Sequence, residues 1–269
     1  MTKPIRLPET TRVILALILL AGCGPTPVVT RTPVTLNLAV SLAMEPLMAD
    51  LTTAYRATHP HVTFDVRHLN SAQAMQALWS GDVELAAISW LTDTESIWLT
   101  PVAMDGVAVV VHPSSPVKNL SLQQLRDVFR GRVAEWPDVG GPPGEIAVAS
   151  REGGSGTRAR FEDAVMEGRS VTVNAIALSS ERAMLDYVSS ITTSIGYMSS
   201  DYLTNTVRAI SVEDVPLTIA TVTNRRYPLS RPLLLVALDE PQGELRQFVA
   251  WTLNNEGQTI VGKKHGRVK

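Results

Sequence analysis

The chain has 269 residues, 45% of them hydrophobic and only 5% aromatic, and a formal net charge of −2. That length and apolar content support one large core or two modest ones, built mostly from aliphatic side chains. The near balance of charge implies no nucleic-acid-binding stripe, and an anionic ligand would have to be held by local donors rather than by a global positive field.

Lys3, Arg6 and Arg12 precede an unbroken apolar run from Val13 to Leu20. The run is too short to span a bilayer as a stable helix, which makes residues 1–22 a signal peptide. Leu20-Ala21-Gly22-Cys23 then resembles a bacterial lipobox, in which the cysteine is acylated and becomes the first mature residue. Cys23 is the candidate lipid anchor; a plain secretory signal with a stray cysteine is the alternative. As the only cysteine, it leaves the mature domain without disulfides or thiol chemistry. Residues 23–33, with Pro25, Pro27 and Pro33, read as an extended tether.

From Val34 the pattern alternates. Strands are expected over Val34 to Val40, Val62 to Val66, Val83 to Ile88 and Val107 to Val111, with helices over Pro46 to Thr58 and Ser71 to Trp79 between them. After Pro113-Ser114-Ser115-Pro116 a helix is expected over Leu122 to Phe129, stopped by Gly131. Later come a strand over Ile146 to Ala149, a helix over Arg182 to Val188, strands over Ile195 to Met198 and Arg231 to Ala237, and a helix over Leu245 to Leu253. Such alternation predicts an α/β fold with parallel sheets and covering helices. Two lobes fit better than one. The expected division is 34–110 with 229–269 for lobe 1 and 111–228 for lobe 2, and two crossing segments would permit hinge closure.

The stretch with the most chemistry is Ser150 to Phe161, where Gly153-Gly154-Ser155-Gly156-Thr157 joins a strand to a helix expected to run through Met166. First-turn N–H groups lack helical acceptors, the helix dipole is positive there, and glycines allow close backbone approach, so the junction suits an oxyanion. Ser155 and Thr157 add hydroxyls and Arg151 adds a planar fork of donors. The same cluster also serves as an ordinary turn with an N-cap. It lacks the Gly-Lys-Ser/Thr of a Walker A loop, and Thr157 stands where a nucleophile elbow needs glycine. His59-Pro60-His61 and His68 have no carboxylate or cysteine at ligand spacing and read as a surface turn, so no metal or cofactor is expected. Asp50, Asp65, Glu162 and Asp163 fall on helix faces or strand edges.

Several further segments occur in a fixed order: Met104 to Pro113, Leu122 to Gly131, Trp136 to Pro142, Ser194 to Tyr197, Tyr227 to Leu233 and Asn255 to Gln258. Together with Ser150 to Phe161 they resemble the shorter phosphate-binding lipoproteins of bacterial ABC transporters, which are type II periplasmic solute-binding proteins. The resemblance implies a two-lobe fold with the ligand cleft between the lobes. It also implies that Arg151, Ser155, Gly156 and Thr157 hold phosphate from one lobe. From the other it implies Ser41 and the Ala43 amide after the first strand, Ser71 at a helix start, and Ser89 after the third strand.

Departures from the family pattern lie mostly in the first lobe. Leu42 replaces the usual Thr, the glycines before Ser71 are gone, and Trp90 stands where shorter members often carry Arg. A buried phosphate that still bears a proton needs an acceptor as well as donors. Glu45 is close in sequence, but an ordinary first-turn role suits it as well. The resemblance implies an exported, lipid-anchored, monomeric protein, not an enzyme, that passes inorganic phosphate to an ABC permease. The alternatives are another tetrahedral oxyanion (sulfate, molybdate or tungstate), a sensor that has lost transport, or a hydrolase using Ser155, for which no histidine sits in a partner motif.

Overall fold

The computed structural model describes residues 32–91 and 96–268. The expected signal segment 1–22, the anchor Cys23 and all but the last two residues of the tether lie outside them. The alternating pattern is realised as β1 (Val34–Ser41), α1 (Glu45–Thr58), β2 (Val62–Leu69), α2 (Ser71–Trp79), β3 (Leu85–Ile88) and β4 (Trp98–Val111). The chain continues through α3 (Leu122–Phe129), β5 (Ala147–Arg151), α4 (Gly156–Phe161), β6 (Ile176–Leu178) and α5 (Glu181–Ser190). It ends with β7 (Ser194–Ser199), α6 (Ile219–Thr223), β8 (Ser230–Ala237), α7 (Gly243–Thr252) and α8 (Asn255–Val261).

The two helices with the sharpest expected limits have reciprocal caps. Asn70 accepts from the Gln73 amide while the Gln73 side chain returns to the Asn70 amide, and Ser121 and Gln124 do the same before α3. Two orphan donors are satisfied at each start, which fixes where the helix begins. The helix expected through Met166 changes at Glu162 into a π turn over Glu162–Met166, ended by Glu167 at φ 48°. α6 and α8 were not expected; five and seven residues are too few to display a helical period.

Eight of the strands form one sheet in the order β2-β1-β3-β8-β4-β7-β5-β6, with Arg208–Ala209 added alongside β4. The parallel pattern holds only at its two ends. β1 is parallel to β2 and β3, and β5 is parallel to β6 and β7, but β8 is antiparallel to β3 and β4, and β4 is antiparallel to β7. A chain that leaves along β4 and returns beside it along β8 must run the other way. β4 is also longer than the expected Val107 to Val111, because Trp98 to Asp105 pairs with β8 across a bulge between Leu233 and Leu234.

Core side chains gather on either side of the β4 midpoint. Leu38, Leu51, Tyr55, Ala103, Leu235 and Phe248 belong to one cluster. Met104, Val109, Phe129, Phe161, Tyr197 and Leu229 belong to another. In the second, the Phe161 and Tyr197 rings stack with centroids 4.0 Å apart, and Phe129 lies 4.5 Å from Phe161. Each such ring buried in full contributes about 1.5–3 kcal/mol, so this aromatic trio anchors the start of α4 firmly. Gly106, just past the midpoint of β4, is pressed against Leu217; a Cβ there would lie 2.4 Å from its Cδ1.

Candidate functional site

Arg151 is the last residue of β5, and Ser155 caps α4 by accepting from the Arg158 amide at 3.3 Å. Between them Gly154 adopts φ +85°, a left-handed turn that favours glycine. That loop lies against the start of α2: the Ala72 amide donates to the Gly154 carbonyl at 3.1 Å, and Asn70 Nδ2 donates to the Gly153 carbonyl at 3.4 Å. Gly156 approaches still closer, since a Cβ there would lie 2.4 Å from Ser89 Oγ and 2.5 Å from Ser71 Oγ.

These contacts enclose a cavity of about 10 Å³, the scale of a single water. All eight residues expected to bind ligand line it: Arg151, Ser155, Gly156, Thr157, Ser71, Ser41, Ala43 and Ser89. Leu42, Asn70 and Glu181 complete the wall. Ser41 ends β1, Ser71 opens α2, Ser89 follows β3, Arg151 ends β5 and Glu181 opens α5. Side chains from both ends of the sheet therefore meet at one point.

Three polar atoms on this wall, Ser41 Oγ, Ser89 Oγ and Arg151 Nη1, are buried without a hydrogen-bond partner. Buried polar groups are seldom left so, because each costs about 1–3 kcal/mol. Arg151 Nη1 does lie 2.6 Å from Glu181 Oε1, with both side chains 1% exposed. The atom is held in an ion pair with that carboxylate. The rest of the guanidinium is committed: Nε reaches Glu152 at 3.0 Å and the Leu178 carbonyl at 3.2 Å. Burial by itself lowers the Arg151 pKa, but Glu181 and Glu152 outweigh it and the net shift is upward, so the cation is permanent.

Thr157 Oγ1 donates to Glu181 Oε1 at 2.6 Å and accepts from Arg231 Nη1 at 3.2 Å. Arg231 in turn places Nε and Nη2 on Asp105 at 3.0 and 2.7 Å. Tyr197 sits beneath, with its hydroxyl 2.7 Å from Ser150 Oγ and accepting from the Arg151 amide at 3.3 Å. Burial pushes its pKa up to about 12, so it stays neutral.

Glu181, Arg231 and Asp105 escaped the sequence reading. Ser180-Glu181 looks like an ordinary N-cap followed by an acidic first-turn residue, which it also is. Arg231 and Asp105 are 126 positions apart, and no local pattern pairs them. Glu45 does not line the cavity and accepts from the Tyr202 hydroxyl at 3.3 Å instead. Trp90 walls a neighbouring groove of about 460 Å³, which shares Ser71, Ser155 and Gly156 with the cavity. His59 stacks on Tyr55 at 3.9 Å and His61 meets Glu244 at 3.3 Å, and neither is among the residues lining the cavity.

Residues 27–256 match the model of a family described as the PBP superfamily domain. The chain belongs to that superfamily. Among PBP-superfamily relatives, the phosphate-binding protein PstS of Bacillus subtilis is 23% identical over 240 residues, covering 87% of this chain and 80% of the relative. A candidate phosphate ABC transporter substrate-binding protein from Clostridium perfringens, solved with bound phosphate, superposes with a TM-score of 0.83 at 30% identity. That match covers 88% of this chain and all of the other, 100%. An ABC-type phosphate transport receptor from Vibrio cholerae gives a TM-score of 0.74 at 27% identity, over 86% of this chain and 99% of that one. The expected α/β binding-protein fold is thereby borne out, with the sheet of mixed direction described above.

Proposed function

We propose that this chain is an extracytoplasmic solute-binding lipoprotein that captures inorganic phosphate between two lobes and delivers it to an ABC transporter. The observation that carries the reading is the convergence on one small cavity of Ser41 Oγ and Ser89 Oγ, two buried hydroxyls without a hydrogen-bond partner, and the buried Arg151 guanidinium. A tetrahedral oxyanion has acceptors in all directions and satisfies such a set. The names of the PstS relatives and the phosphate in the Clostridium perfringens structure support phosphate as the ligand.

In this reading residues 34–110 with 229–269 form one lobe and 111–228 the other. The ligand is admitted when the Gly153–Gly154 loop parts from Asn70 and Ala72, which also widens the small space between the two walls. A single guanidinium, already paired with Glu181, among neutral hydroxyls suits a protein that must also release its ligand. Cys23 tethers the monomer to the membrane, and the ABC permease is the partner. No histidine lines the cavity, and the Ser155 hydroxyl accepts from the Arg158 amide, so a serine hydrolase lacks its base.

The test is calorimetric titration of ligand-stripped protein with phosphate, sulfate, molybdate and tungstate. Phosphate binding that Arg151→Ala weakens by about 2–4 kcal/mol is expected, since a charge-assisted contact in a desolvated site is lost. Preference for another of these anions would keep the mechanism and change the substrate. Silence towards all four from folded protein would turn the assignment to a sensor or another use of the scaffold.

A further inference from the structure

Arg231 lines a second space, of about 320 Å³, and its Nη1 donates to Thr157 of the cavity at 3.2 Å, so one hydrogen bond links the walls of the two. The wall of this pocket carries three guanidinium groups, those of Arg160, Arg225 and Arg231, with Trp90, Tyr227 and Pro228 among its uncharged members. Among the described residues no carboxylate lines it. The cavity, by contrast, has Glu181 in its wall.

The three arginines differ in how far they are committed. Arg231 is spent on Asp105 and Thr157. Arg160 gives Nη1 to Asp163 and Nη2 to the Pro228 carbonyl, at 2.7 and 2.8 Å, while its Nε is buried without a hydrogen-bond partner. A guanidinium has five N–H donors, so Arg160 is held in place with donors to spare. Arg225 is exposed, and its side chain has no hydrogen bond or ion pair with any described residue. Its φ is 58°, directly after the residue that caps α6, a left-handed position that favours glycine. Any other residue there costs free energy, and what this one adds is a guanidinium at the pocket wall. Against the three guanidinium groups stand two paired carboxylates, Asp105 and Asp163, which leaves the pocket positive.

We propose that this pocket binds a second small oxyanion, outside the cavity, in the forks of Arg160 and Arg225. In the lobe division proposed above, Arg160 and Arg225 belong to one lobe and Trp90 and Arg231 to the other. An anion seated among them touches both lobes, favours the closed state and prolongs the stay of the ligand in the cavity. By reciprocity, a filled cavity strengthens the second site by the same factor. The pocket assignment stands on its own residues, whereas the coupling rests on the oxyanion reading of the cavity. The space exceeds a bare oxyanion, so the occupant keeps part of its hydration, and salt screening makes its affinity low.

The test is calorimetric titration of ligand-stripped protein with inorganic phosphate at low ionic strength, for the unsubstituted chain and for Arg225→Gly. Glycine suits the left-handed backbone, so the variant should fold, and Arg225 does not line the cavity. The unsubstituted protein should bind two phosphates, the second roughly a hundredfold or more weaker than the first. The second site should vanish in about 0.5 M sodium chloride, where the Debye length is only a few ångströms. Arg225→Gly should bind one phosphate with unchanged tight affinity. Release of labelled phosphate from the tight site, chased with rising unlabelled phosphate, should slow by about twofold or more in the unsubstituted protein and stay constant in the variant. One phosphate per chain in the unsubstituted protein, or a second site that persists in Arg225→Gly, would overturn the pocket assignment. A release rate indifferent to the chase concentration would overturn the coupling. A single weak site abolished by Arg225→Gly, with no tight one, would remove the oxyanion reading of the cavity while the pocket stands.

Discussion

Arg231 on β8 holds Asp105 on β4 through Nε and Nη2, at 3.0 and 2.7 Å, and uses its remaining Nη1 on Thr157 of the cavity wall at 3.2 Å. Both partners are almost wholly buried, at 1% and 0% side-chain exposure. The pair ties the two central antiparallel strands together where the core clusters divide, and it braces a residue of the candidate site from behind.

Breaking this pair from one side should be costly. Arg231→Met leaves the Asp105 carboxylate buried with only the Ser199 and Ser200 hydroxyls and a distant His265. A loss of about 3–5 kcal/mol is expected in urea unfolding, with much of it recovered in the Arg231→Met/Asp105→Leu double variant. A double variant no better than the single one would show that the hydroxyl partners of Asp105, rather than the charge pair, carry the stability.

Gly156→Ala tests the close approach between α4 and the first half of the sheet. The added methyl would meet Ser89 Oγ and Ser71 Oγ at 2.4 and 2.5 Å, with the Trp90 amide nitrogen at 3.1 Å. Neighbours must shift, at about 1–3 kcal/mol. Phosphate affinity measured by calorimetry should weaken by that amount. An unchanged affinity would remove this contact from the ligand-bound state.

Asp201 should contribute an acid-sensitive part of the stability. Burial raises its pKa, but His265 Nε2 at 3.2 Å and Lys264 Nζ at 2.9 Å outweigh this, and the net value falls below the usual 3.8. A depressed carboxylate pKa stabilises the fold above the unfolded-state value, and the contribution is lost as pH falls through the folded value. Unfolding free energy should therefore drop below about pH 4 more steeply in the unsubstituted protein than in Asp201→Asn. Parallel profiles would show that the contact does not survive in solution.

Tyr197→Phe keeps the stack on Phe161 and removes only the hydroxyl, which contacts Ser150 Oγ at 2.7 Å and the Arg151 amide at 3.3 Å. A loss of about 1 kcal/mol in denaturant unfolding is expected, with phosphate affinity reduced by less than that. A much larger loss of affinity would mean that the hydroxyl sets the position of Arg151.

Helix starts were legible where chemistry is local. The Asn70/Gln73 and Ser121/Gln124 caps lie within one turn of chain, so α2 and α3 match their expected limits. The glycine turn before α4 was legible for the same reason, since its conformation and its cap depend on neighbours a few residues away. The direction of the central strands was not, because it depends on where β8 returns rather than on any residue within it. The first part of β4 was missed because Thr100 and Pro101 interrupt its apolar pattern, whereas pairing with β8 supplies the order that the pattern lacks.

By itself the sequence determined the order of strands and helices and the position of the glycine turn before α4 with Arg151 and its companion hydroxyls beside it, because periodicity, capping and glycine act locally. Only the tertiary structure decided which charges meet. Glu181 reaches Arg151 and Thr157 from a separate helix, and Arg231 crosses 126 positions to reach Asp105. Such pairs form because burying a charge is unfavourable until another is brought beside it, and chain folding, not chain spacing, brings them together.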